Sequence, residues 1–200
     1  MRVLLAALAL TLAGSAAAMG LDTETQAAIA RYKPGKLVAI EDVAQFMRAS
    51  EQWCYHNQDH SCAWTDIYLE VSETGVTYEI GNAWDAEIDV AFTDHGEFRD
   101  GRYICETGYD WVPTVRATRR SDGSAIGGRL LAELKDEIYA NREGDTQDCF
   151  DYLYRGFDPD QEVVTLLQRQ YVGGEHLPDA DTEVTLHFNA EDAAGLTWRW

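Results

Sequence analysis

Basic residues are scarce in this chain. Sixteen lysines and arginines stand against 35 aspartates and glutamates, a formal net charge of −19 at pH 7. That balance excludes a nucleic-acid binder, whose phosphate contacts demand basic patches. It also argues against adsorption on anionic lipid. Long apolar runs are missing too. The only candidate, Val3 to Gly14, is shorter than the ~20 residues a membrane-spanning helix needs. No G-x-S-x-G nucleophile elbow occurs, and no other complete catalytic motif is legible. With 35 acids on offer, no carboxylate pair can be singled out as a glycosidase-type acid and base.

The first eighteen residues read as an export signal. Met1-Arg2 supplies a positive start, Val3 to Gly14 an uncharged apolar stretch, and Ala16 and Ala18 the small residues of a cleavage site. No cysteine stands at the cleavage point, which excludes a lipoprotein, and a second adjacent arginine is missing, which excludes a twin-arginine signal. Cleavage after Ala18 removes Arg2. The mature chain, 19–200, then carries 15 basic against 35 acidic residues, or −20. We expect a single periplasmic or secreted domain without a membrane anchor.

Export changes how the four cysteines are read. In an oxidising compartment an even count suggests disulfides. We expect Cys54–Cys62, closing a short polar loop, and Cys105–Cys149, tying a strand end to the segment after a helix. In a chain-entropy model these loops are worth about 2.6 and about 4 kcal/mol.

At 46% hydrophobic and 11% aromatic, the chain reads as globular. Residues 22–32 suggest a helix capped by Asp22 or Thr23. In 39–49, Ile40, Val43, Phe46 and Met47 recur at helical spacing. Residues 64–71 and 76–80 alternate around Ser72–Gly75, as a hairpin does. Residues 84–93 read as a strand with Trp84, Ala86, Ile88, Val90 and Phe92 on one face, and Asp94-His95-Gly96 as its turn. A further strand is expected over 111–118. Residues 129–142 predict the strongest helix, with a stripe of Leu130, Leu131, Leu134 and Ile138 and a Gly144 cap. Strands follow at 150–157, 162–172, 182–189 and 195–200. The sum is an α+β fold, a mainly antiparallel sheet with a few helices packed on one face, stabilised by disulfides. A faint duplication relates 39–93 to 129–189.

The most site-like segment is the loop with C-x-H-x3-H-x-C spacing formed by Cys54, His56, His60 and Cys62. Two thiolates and two imidazoles suit tetrahedral zinc, but a disulfide would consume both sulfurs and leave His56 and His60 as the metal candidates. The D-x-D-x-E triplets at Asp158 and Asp179 offer alternate oxygens, as a calcium loop does, but lack its glycine and distal glutamate. Trp53, Tyr55, Trp64, Tyr109 and Trp111 are aromatic candidates for an interface or pocket. Trp198 and Trp200 end the chain as outer-membrane barrels often end. These features fit an exported soluble envelope protein with a binding or accessory role, a protein or small-molecule partner, no cofactor and no catalysis of its own. The alternatives are a secreted hydrolase, a metal-binding protein built on the His56/His60 loop, or a small outer-membrane barrel.

Overall fold

A computed structural model describes residues 20–107, 110–141 and 147–200. The export segment, Tyr109 and the Gly144 cap lie outside the described residues. The chain begins with α1 (Thr23–Ala30) and α2 (Ile40–Ala49). Strands β1 (Gln52–Tyr55), β2 (Ser61–Cys62), β3 (Trp64–Val71), β4 (Gly75–Ala83), β5 (Ile88–Arg99) and β6 (Tyr103–Glu106) follow. Next come β7 (Arg116–Arg119), β8 (Ala125–Ile126) and α3 (Gly128–Asn141). The chain closes with β9 (Asp148–Asp158), β10 (Val163–Val172), β11 (Glu175–His176), β12 (Thr182–His187), α4 (Ala190–Ala194) and β13 (Thr197–Trp198).

The antiparallel sheet is not open. Its strands run β4-β3-β1-β12-β10-β9-β6-β5, and β5 pairs back onto β4, so eight strands close a barrel. The mainly antiparallel sheet, the helices and both disulfides match the sequence reading. The open sheet with helices on one face does not. Closure leaves no single face to cover, and the helices take other places.

Helix α2 plugs one end. Its apolar stripe is the one the sequence shows: Val43, Phe46 and Met47 are buried and join one core with Trp53, Leu166, Val184 and Leu186 inside the barrel. Phe46 meets Phe188 edge-on, and Trp53 Nε1 donates to Ser50 Oγ at 2.7 Å, fixing the turn from α2 into β1. Helix α1 packs on α2, and Asp22 caps it by accepting from the amides of Glu24 and Thr25. Helix α3 lies outside, where Leu134 and Ile138 pack with Val90, Val115 and Ala117. Its stripe is narrower than expected, because Leu130 is exposed. The helices heading the two suggested halves therefore do different work, one inside the barrel end and one on its wall.

Three strand assignments change. Residues 84–87 form a turn, with Asp85 Oδ1 accepting from the amides of Glu87 and Ile88. The expected turn at Asp94-His95-Gly96 is the middle of β5, and the chain reverses instead at Asp100-Gly101, both in the left-handed region. Gly96 serves closeness, not turning: a Cβ there would lie 2.7 Å from Ile104 Cγ1. The 111–118 strand is a 3-10 turn at Val112–Thr114 followed by β7. At the C-terminus α4 and β13 replace a final edge strand, and β13 pairs with β2 in parallel, away from the barrel ladder.

Candidate functional site

The end of the barrel away from α2 is polar inside. Register explains why. Tyr55 ends β1, Asp66 lies near the start of β3, Glu106 ends β6, Asp148 starts β9, Gln168 and Gln170 sit late in β10, and Thr182 starts β12. Antiparallel order brings these positions to one end. They line a cavity of about 240 Å³ together with Trp64, Tyr68, Tyr78 and Tyr152.

The walls are aromatic. Tyr55 stacks on Trp64 with centroids 4.8 Å apart, and Tyr68 meets Tyr78 at 5.7 Å. Tyr55 donates its hydroxyl to Asp66 Oδ2 at 2.7 Å. Gln168 Nε2 donates to Tyr152 Oη at 3.1 Å and to Tyr55 Oη at 3.4 Å. Asp66 is 5% exposed, and its other oxygen, Oδ1, is buried without a hydrogen-bond donor. A buried acceptor of this kind costs about 1–3 kcal/mol if nothing satisfies it.

The carboxyls perturb one another. Burial pushes Asp66 up to about 7, against the Tyr55 hydrogen bond that favours its charged form and with Asp94 adding repulsion. Burial likewise raises Glu106 to about 8, helped by Asp94, Asp148 and Asp66. Asp94 pairs across the ladder with inward-facing Tyr78 and is raised by burial. Burial also raises the phenols of Tyr55, Tyr68 and Tyr78. Clustered groups shifted by burial and by one another mark a functional-site candidate.

The sequence candidates land elsewhere or in different roles. Cys54–Cys62 and Cys105–Cys149 are both bonded, so the loop holds no thiolate. His56, Asp59 and His60 all take left-handed backbone in that tight loop. His56 sits edge-on to Trp64, while His60 Nε2 reaches Asp192 at 2.8 Å. His187 Nδ1 meets the other oxygen of Asp192, which ties α4 to both the loop and β12. Burial alone would raise Asp192, but the two histidine contacts outweigh it and hold the carboxyl low. Among the described residues no three histidine, cysteine or acidic side chains gather around one point as metal ligands do. In the acidic triplets, Asp158 caps its turn by accepting from the amides of Asp160 and Gln161, and Asp181 meets His176 at 2.7 Å.

Of the aromatic candidates, Trp53 and Tyr55 are buried inside the barrel, Trp64 lines the cavity, and Trp111 stacks on Phe92 outside it. Trp198 covers the outer face at Gly81 and donates to Thr65 Oγ1 at 2.9 Å, whereas Trp200 is exposed. Asp66, Glu106 and Gln168 escaped the sequence reading. The alternation in 64–71 pointed the other way, grouping Ile67 and Leu69 as the apolar face, yet both are exposed and it is Asp66 and Tyr68 that face the cavity.

Comparison with protein-family models, curated proteins and solved structures returns no match.

Proposed function

We propose that this chain is an exported binding protein that holds one small molecule inside its barrel and does no chemistry on it. The observation that carries this is the buried, donorless Asp66 Oδ1 in a cavity at the polar end. An eight-stranded barrel has an interior that side chains can fill or that a single small ligand can occupy. Here the lower half is filled and the upper half is hollow. At about 240 Å³ the hollow is below the roughly 300–1,000 Å³ of drug-sized sites, which points to a metabolite-sized ligand. Among the described residues no histidine, serine or cysteine lines it to serve as nucleophile or partner base.

Two disulfides fit an oxidising compartment, and the N-terminal segment supplies the route there. We read the barrel as water-facing. Glu97, Arg99, Arg155 and Glu183 are exposed on its strands, where an outer-membrane barrel carries an apolar band.

One observation favours a hydrolase as the second reading. Asp66 and Glu106 share a cavity, and both carboxyls titrate well above the usual carboxylate range, as an acid–base pair would.

A thermal-shift screen of the mature protein against classes of small metabolites tests the binding reading. A cavity ligand at a hundredfold excess over its Kd adds about 2.7 kcal/mol, and each kcal/mol raises Tm by about 2–4 °C at this size. Ile80→Trp fills the cavity and should abolish the shift. Shifts that survive Ile80→Trp, or product formation from a bound compound, would contradict it.

A further inference from the structure

We propose that the ligand is a small organic cation whose ammonium group sits against Asp66 and Glu106 and whose carbon frame lies on the tyrosine and tryptophan walls. This rests on the binding reading above and specifies the chemistry of the ligand.

The first support is an internal comparison. Beyond this end of the barrel the buried acids have basic partners. Asp151, fully buried, takes Arg102 and Arg169 together. Asp42 takes Arg31, and half-buried Asp192 takes His60 and His187. Asp66 is 5% exposed, yet among the described residues it has the Tyr55 hydroxyl and no basic partner. Among the described residues no lysine, arginine or histidine lines the cavity. A cation from outside would complete the pattern. Its N–H would also satisfy Asp66 Oδ1.

The second support is the wall. Tyr55, Trp64, Tyr68 and Tyr78 present aromatic rings beside the carboxyls. Ring faces attract cations by about 0.5–2 kcal/mol each, most strongly where water is excluded. A metal ion would want converging oxygens, but among the described residues no trio of ligating groups meets. The net charge of −19 also draws cations toward the molecule.

Binding should then release protons. The groups facing Asp66 and Glu106 are Tyr55 on β1, Tyr68 on β3, Tyr78 on β4, Asp94 on β5, and Asp148 and Tyr152 on β9. Strands β10 and β12 contribute only Gln168, Gln170 and Thr182, which do not titrate. None of these groups is cationic, so the two carboxyls hold protons near neutrality in the empty barrel. An ammonium group must displace them. Affinity should therefore rise with pH, by about tenfold per unit for each proton released, until the amine itself loses its charge.

Isothermal titration calorimetry of the mature protein tests this with putrescine and 2-phenylethylamine. Each is paired with a neutral alcohol of the same shape: 1,4-butanediol and 2-phenylethanol. We expect at least one amine to bind one-to-one, well ahead of its alcohol and more tightly at pH 8 than at pH 6. Asp66→Asn should weaken it by about 10- to 100-fold, the range for a lost hydrogen bond to a charged group. Glu106→Gln, at a half-buried position, serves as the second variant should Asp66→Asn fail to fold. An alcohol binding as well as its amine, with loss in Ile80→Trp, would overturn the cationic ligand and leave the binding reading standing. Amine binding unchanged by both carboxyl variants would overturn it as well. No binding by either series would count against both.

Discussion

Gly75 and Gly96 stand on β4 and β5, one pair out of register with each other, and both are there for closeness. A Cβ on Gly75 would lie 2.3 Å from the Gly96 carbonyl oxygen, which is backbone and cannot yield. A Cβ on Gly96 meets Ile104 side-chain carbons at 2.7 and 2.9 Å, and that side chain can rotate. Overpacking of the second kind typically costs about 1–3 kcal/mol. Chemical denaturation should therefore find Gly75→Ala more destabilising than Gly96→Ala. Equal midpoints would show that the strands can part here freely. These glycines also mark a limit of sequence reading. Asp94-His95-Gly96 carries the composition of a turn, yet the glycine is needed for a tight interior and the aspartate is buried. Nothing local separates a glycine that lets the chain bend from one that lets a neighbour approach.

The elements that the sequence foretold are those governed by near neighbours. The α2 stripe, the Asp22 cap and the β3–β4 hairpin depend on residues within a few positions, and all are present. An even cysteine count in an oxidising context suggested two disulfides, and the closeness of Cys54 to Cys62 in sequence chose their pairing among three connectivities. What stayed hidden is pairing between distant strands, such as β1 with β12 and β6 with β9. The second of these seams is slight. Among the described residues strand β6 pairs with β9 at Ile104–Phe150 and Cys105–Cys149. The disulfide across that seam joins residues 44 apart, against 8 for Cys54–Cys62. The longer loop restrains the unfolded chain more, by about 4 against about 2.6 kcal/mol. Replacing Cys105 and Cys149 by alanine should thus lower stability more than replacing Cys54 and Cys62. Hydrogen exchange should quicken first along β6. Equal losses, or quickening confined to the 56–60 loop, would mean the seam holds without its bond.

At the scale of the whole molecule, closure makes the site. Alternation in each strand gives an inside and an outside, but only a closed ring turns eight insides into one compartment. Helix α2 fills one half with apolar side chains, so the polar residues late in β10 and early in β3, β9 and β12 are gathered in the other. From sequence they are scattered acids and amides among 35 carboxylates. The fold gathers Asp66 and Glu106 into one tyrosine-walled chamber, and burial then raises both. A ligand cation in the chamber must reverse that shift. The most direct measurement is a carbon-13 NMR titration of the Asp66 and Glu106 carboxyls, in the free protein and with the tightest-binding amine. The account predicts midpoints near about 7 and about 8 in the free protein, both falling by a unit or more when the amine is bound. Midpoints that stay in place with the amine saturating the protein would put the ligand outside the barrel and contradict the account.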